Sequence, residues 1–189
     1  MKKLQTLILF LLISAGLWAQ DPHFSQFFAS PLTLNPAFTG KFDGNFRVAG
    51  NYRNQWPTIN NAFTTATVSF DMPIMTSKLP EFDTWGVGII ALNDQSGNKI
   101  LNNNFIALST AYHKGLDANG WHQLTVGFQG TYASKRLDIT QADFEDELTA
   151  LGFTGVTSEV FNNNNVPINY FNFNTGIMYS GTTNGENSF

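Results

Sequence analysis

NFRVAGNYR, residues 45–53, decides the fold. Phe46, Val48, Gly50 and Tyr52 fall on one side of an extended chain, and Arg47, Ala49, Asn51 and Arg53 on the other. A period of two residues belongs to a β-strand, because successive side chains leave a pleated backbone on opposite faces. One side of this strand is apolar and the other is polar, so it is built to sit between two unlike environments.

Working outward, five further stretches repeat the pattern. Residues 63–70 place Thr64, Ala66, Val68 and Phe70 opposite Thr65, Thr67 and Ser69. Residues 85–92 carry Trp85, Val87, Ile89 and Ala91 on one face, with Gly86, Gly88, Ile90 and Leu92 on the other, so this strand is apolar on both. In residues 104–113, Ile106, Leu108, Thr110 and Tyr112 oppose Phe105, Ala107, Ser109 and His113. In residues 123–134, Leu124, Val126, Phe128 and Tyr132 oppose Thr125, Gln129 and Thr131. The sixth stretch, residues 170–179, sets Phe171, Phe173, Ile177 and Tyr179 against Asn172, Asn174 and Gly176.

The N-terminus supplies the address. Lys2 and Lys3 precede a short apolar run, residues 7–13, and small residues Ala15, Gly16 and Ala19 follow. This is the pattern of a signal peptide, residues 1–19, and the apolar run is too short to cross a bilayer as a helix. The chain has no cysteine, which leaves no disulfide framework, no thiolate metal site and no thiol for a lipid anchor. With 13% charged residues and a net charge of −4, no basic patch is available for nucleic acid. After the signal no apolar stretch is long enough for a spanning helix, so entry into a membrane requires a closed barrel without open strand edges.

Loop lengths and aromatic positions fit an antiparallel transmembrane β-barrel of the outer-membrane type. With strand one running outward, the outer connections are residues 54–62, 93–103 and 135–169, and the last is by far the longest. Residues 114–120 form a short turn rich in Gly, Asn and Asp, while residues 71–84, with Pro73 and Pro80, are long for a periplasmic turn. Trp85, Tyr112 and Tyr179 fall at periplasmic strand ends and Tyr52 and Tyr132 at outer ends, all on the apolar face, as two interfacial girdles require. The long segment is expected to hold one helix: Thr140 and Asp143 resemble a capping box, and Phe144, Leu148 and Leu151 follow at helical spacing before Gly152. Glu145, Asp146 and Glu147 read as a solvated face, and residues 162–165 as a loop tip. Bacterial barrels need at least eight strands, and the last residues lack an alternating apolar terminal strand, so only the first six or so strands are expected here.

The mature N-terminus, residues 20–40, reads QDPHFSQFFASPLTLNPAFTG. Asp21-Pro22, Phe24-Ser25-Gln26-Phe27 and the run Asn35 to Gly40 resemble the opening of the PorP/SprF family. So do Arg53, Gln55 and Trp56 within NYRNQWP, Asn93-Asp94 with Gly97, and Ala111-Tyr112-His113, in the same order and register up to about Tyr179. The resemblance implies an outer-membrane barrel of the type IX secretion and gliding machinery that exports or anchors secreted proteins at the cell surface. It implies outer-membrane lipid, other secretion components on the periplasmic side and, for some members, a secreted adhesin as partners, and it implies no catalysis.

Three prolines, Pro22, Pro31 and Pro36, break regular structure in the segment before the first strand. Residues 20–44 are therefore expected to form an extended arm. It folds back into the lumen as a plug, docks partners at the periplasmic mouth, or simply packs on the sheet. Phe24, Phe27, Phe28 and Phe38 would be the apolar anchors, with Asn35 and Pro36 in the same run. Residues 45–189 form the barrel portion.

Catalytic chemistry finds no foothold. His23, His113 and His122 are not at metal-ligand spacing, and no cofactor site is expected. His113 and His122 read as polar residues flanking a turn, and Gly86-Val87-Gly88 as a place where backbone approaches closely. Two other readings stay open. A passive porin or solute transporter would line its channel with Arg47, Asn51, Arg53, Thr65, Thr67 and Gln129. A soluble sandwich would use exposed aromatics to stack on carbohydrate.

Overall fold

All six stretches of alternation become strands, and each strand continues beyond its apolar portion. The computed structural model describes residues 29–59, 63–75, 77–97, 99–139, 142, 144–150, 152–160, 165–183 and 187–188. The long strands are β1 (Arg47–Gln55), β2 (Phe63–Ile74), β3 (Thr84–Ser96), β4 (Leu101–Gly115) and β5 (His122–Asp138). After them come two-residue strands β6 (Leu148–Thr149) and β7 (Gly152–Phe153), then β8 (Asn165–Thr183) and the short β9 (Asn187–Ser188). The main sheet runs β1-β2-β3-β4-β5-β8-β9, every neighbouring pair antiparallel, while β6 and β7 form a separate hairpin. Among the described residues no helix is long and apolar enough to cross a membrane.

The two faces of the sheet are as unlike as the alternation requires. One carries Val48, Val68, Ile106, Leu108, Phe128, Phe171, Phe173 and Ile177, all exposed, with Phe173 at 82%. Among the described residues nothing packs over this face. An apolar surface of that extent on a water-soluble monomer is a severe liability, whereas hydrocarbon covers it at no cost. From Leu124 to Tyr132 on β5, and from Phe171 to Tyr179 on β8, the apolar positions span about nine residues, the length a tilted strand needs to cross a bilayer core. Trp85 pairs with Tyr112 across β3 and β4, and the Tyr132 ring meets Phe171 at a tilt across β5 and β8, with ring centroids 5.1 Å apart. These rings sit toward opposite ends of the band, as interfacial anchors do.

The other face is polar and buried. Thr65, Thr67, Ser69, Asp71, Ser109, His113, Thr125, Gln129 and Thr131 all lie on it, interrupted by the apolar pair Ile90 and Leu92. The second apolar face of β3 thus has a cause. Ile90 and Ala107 form a small core with Leu32, which arrives from the segment before β1.

Strand ends differ from expectation for one physical reason. The alternation reveals only the part of each strand that meets an apolar medium, while hairpin hydrogen bonding continues into water. β8 begins at Asn165 rather than residue 170, because β5 extends to Asp138 and pairs with it. β3 likewise continues through Asn93 to Ser96 and β4 begins at Leu101, and Asn93 Nδ2 donates to Asn104 Oδ1 at 2.5 Å.

The helix expected in the long connection does not form. Phe144 is extended, Glu145–Glu147 make a single 3-10 turn, and Leu148 turns into β6 opposite Phe153 of β7. Thr140, Asp143 and Leu151 lie outside the described residues. Leu148 is exposed and has no surface to pack against, and a short helix without tertiary packing is not stable in water. Nor is the acidic run simply a solvated face. Glu147 is buried, and Asp146 accepts hydrogen bonds from the Ser158 amide at 2.6 Å and its hydroxyl at 2.7 Å. Those donors, the amide foremost, hold the Asp146 carboxyl below the usual aspartate range.

Candidate functional site: the segment on the polar face

Residues 29–40 lie across the polar face, and their local structure follows from their sequence. Ser30 precedes a single helical turn, α1 (Pro31–Leu34), with proline at its first position, where the missing amide proton costs nothing. Asn35 then caps a 3-10 turn, Pro36–Phe38: its side-chain oxygen accepts from the Ala37 amide at 2.8 Å. The Thr39 hydroxyl donates to the Pro36 carbonyl at 2.8 Å. Gly40 adopts φ +73°, a left-handed conformation that favours glycine, and swings the chain toward β1.

A row of small residues receives this turn. Gly176 on β8 is opposite Gly127 on β5, Gly127 is opposite Ala111 on β4, and Ala111 is opposite Gly86 on β3. The four residues thus form one line across four adjacent strands. Asn35 lies on Gly176, Pro36 and Ala37 on Gly127, and Thr39 and Gly40 on Gly86, each so close that a Cβ at any of these glycines would collide with the segment. In a flat sheet Gly127 and Gly86 would be about 10 Å apart, two strand spacings. The intervening turn, from Pro36 to Thr39, closes an i to i+3 hydrogen bond and covers less than about 7 Å. The sheet therefore curls toward the segment, making the polar face the inside of the curl and the apolar face the outside.

Buried polar contacts pin the segment at both ends of this row. Asp71, with no accessible surface, accepts from Gly40 N–H at 2.7 Å and from Arg47 Nη2 at 2.6 Å and Nε at 2.9 Å. Arg47 also donates to the Phe38 carbonyl at 3.0 Å and lies over the Phe42 ring, 4.8 Å from its centroid. His113 is fully buried, with Nε2 2.8 Å from the Thr39 carbonyl and Nδ1 2.8 Å from the Thr125 hydroxyl. A carbonyl only accepts, so Nε2 carries the proton and Nδ1 accepts from Thr125. His113 is therefore an anchor for the segment, which corrects its reading as a turn-flanking residue. His122, by contrast, bonds the Tyr179 hydroxyl at 2.6 Å. Asn35 Nδ2 donates to the Ile177 carbonyl of β8 at 3.3 Å, and Asn51 Nδ2 of β1 donates to the Ala29 carbonyl at 2.9 Å. Lys41 reaches Gln123 and, at 3.1 Å, Ser180. Burial draws the Lys41 ammonium below the usual lysine range, with Asp43 offsetting part of the effect.

The residues singled out from the sequence thus divide. Asn35 and Pro36 form the seated turn, and Phe38 contributes its carbonyl while its ring is half-buried. Phe24, Phe27 and Phe28 lie outside the described residues. Gly86, read from the sequence as a place of close backbone approach, receives Thr39 and Gly40, whereas sequence reasoning did not single out Leu32, Asp71, Thr125, Gly127 or Gly176 as parts of the site. The sequence reading places Asp71 in the connection of residues 71–84, whereas it lies within β2, on the polar face.

Beside Gly40 a cavity of about 520 Å³ opens at the strand ends, lined by Lys41, Phe42, Phe82, His113 and Gln123 among others. Phe82 closes against Gly115 and Gly120, so the β2–β3 and β4–β5 turns are locked together at this mouth. No group of His, Cys, Asp and Glu among the described residues is arranged to hold a metal ion.

An all-antiparallel meander with a bare apolar outer face and a buried polar inner face defines a membrane protein of the β-barrel class. The family model described as "Type IX secretion system membrane protein PorP/SprF" matches residues 17–184, and the chain belongs to that family. No curated relative and no solved structure matches it.

Proposed function

We propose that this chain is a non-catalytic outer-membrane barrel component of the type IX secretion and gliding apparatus, acting in export or surface anchoring through protein–protein contacts. Residues 1–19 direct its export, residues 20–44 form the arm, and residues 45–189 contribute to the barrel. Outer-membrane lipid covers the apolar face, and periplasmic components of the apparatus meet the mouth formed by the β2–β3 and β4–β5 turns.

One observation carries this reading against the passive-porin alternative. The polar face, which would have to line an open channel, is covered by the chain's own Asn35–Gly40 turn, fixed by Asp71, Arg47 and His113. A barrel that fills its own bore is suited to scaffolding rather than to solute flow. In liposome swelling the intact protein is expected to admit sugars poorly, whereas a variant lacking residues 30–40 should admit them readily. Cells carrying the deletion of residues 20–31 should insert the barrel and lose surface display of secreted proteins. Free sugar entry through the intact protein, with secretion unaffected by its removal, would favour the porin.

A further inference from the structure

The direction in which the segment crosses the polar face can be read strand by strand. β1 and β3 both run from the short-turn end of the sheet, where Phe82 and Gly120 lie, to the end bearing the long connection after β5. On β1, the Phe38 carbonyl is held by Arg47, the first residue of the strand, whereas the Ala29 carbonyl is held by Asn51. Four strand residues separate these contacts, about 14 Å. On β3, Thr39 and Gly40 lie against Gly86, while Leu32 lies against Gly88 and packs with Ile90. Both strands give the same sense: the earlier the residue in the segment, the farther it sits toward the long-connection end. Ala29 is next to the level of Tyr52, at the far edge of the apolar band.

We infer that the segment threads the bore from the outside inward, so that the chain enters the described fold at the cell-surface end and descends to the periplasmic mouth before β1 begins. This rests on the outer-membrane orientation proposed above, in which the long connection after β5 is extracellular. Two consequences follow. Ala29, where the described segment begins, lies at the cell-surface end, where a secreted protein can meet it. Periplasmic partners must instead use the mouth at the β2–β3 and β4–β5 turns, because the segment of residues 29–40 reaches that level only at its C-terminal end.

Epitope accessibility tests the inference. One epitope is inserted before Pro22, a second at Gly155 in the long connection, and a third at Asn119 in the β4–β5 turn. On intact cells the antibody signal at Pro22 should equal that at Gly155, and the Asn119 epitope should appear only after the outer membrane is permeabilised. A Pro22 epitope that appears only after permeabilisation, while Gly155 is read on intact cells, overturns the threading alone. A hidden Gly155 epitope overturns the orientation and the inference with it. A second measurement does not depend on tolerance of an insertion. In this cysteine-free chain, the pair Ala29→Cys with Asn51→Cys should form a disulfide on oxidation, and Ala29→Cys with Arg47→Cys should not. The reverse pattern overturns the inference.

Discussion

Asp71 has no accessible surface, and its two oxygens receive the Arg47 guanidinium and the Gly40 amide. Substituting Asp71 by Ala leaves a largely buried cation and a buried amide without their acceptor. Breaking such a pair typically costs about 3–5 kcal/mol, and the low end is expected because 23% of the Arg47 side chain stays exposed. Urea unfolding of the purified protein in detergent measures the loss, and proteolysis within residues 30–40 should accelerate in parallel. The glycines can be separated by the same logic. Gly127→Val drives a Cβ into the backbone of Pro36 and Ala37, so the segment must leave its seat. Gly130→Ala, on the lipid side, meets only the Phe173 ring at ordinary contact distance, 3.6 Å, and should change stability by less than about 1 kcal/mol. If the two variants showed equal protease sensitivity in residues 30–40, the seat would not depend on the glycine row.

At the scale of elements, the β2–β3 turn is tied down by one carboxylate. Asp83 accepts from Lys114 Nζ at 2.8 Å, the Tyr112 hydroxyl at 2.6 Å and the Gly115 amide at 2.9 Å. These bonds, the lysine's foremost, hold its pKa below the ordinary aspartate value. A carboxyl depressed in the folded state stabilises fully above its unfolded pKa, about 3.9, and that contribution is lost as pH falls through the lower folded value. Amide protection factors in residues 77–83, taken relative to the unstructured-chain rate at each pH, should therefore stay constant from neutrality to about pH 5 and fall below about pH 4. In Asp83→Asn protection should be lower at neutrality and indifferent to that acidification. A wild-type turn equally protected at pH 3 and pH 7 would show that other contacts hold it.

At the scale of the molecule, stability depends on which medium meets each face. Leu108, 65% exposed in the middle of the β4 apolar stretch, faces hydrocarbon. Leu108→Arg should cost about 2–4 kcal/mol, while Tyr52→Arg at the rim of the band should cost at most about 1. Reversible folding into lipid vesicles, followed by tryptophan fluorescence, gives both values. Equal costs at the two positions would mean that no bilayer gradient acts on this face.

Much of this architecture is legible in residues alone, because the faces of a strand are a local property. Phe46 to Arg53 gives its parity without any knowledge of its neighbours, and so do the other five stretches. The segment from Pro31 to Phe38, expected to be extended because of its prolines, instead makes a helical turn and a 3-10 turn, each begun by a proline. The expected helix after residue 140 failed at the point where local pattern needs a partner: Leu148 had nothing to pack against. Apart from Gly86, the row of small residues was out of reach for a related reason. Gly86, Ala111, Gly127 and Gly176 are scattered over ninety residues, and only strand register brings them into one line beneath the turn.

What the sequence determined by itself is an all-β chain with one greasy and one polar side, since alternation is written residue by residue. What tertiary structure alone decided is that the polar side is occupied, by which residues, and in which direction the chain crosses it. Those outcomes depend on contacts between residues far apart in the chain, such as Ala29 with Asn51, Gly40 with Asp71 and Thr39 with His113. Such contacts exist only once the sheet has paired and curled.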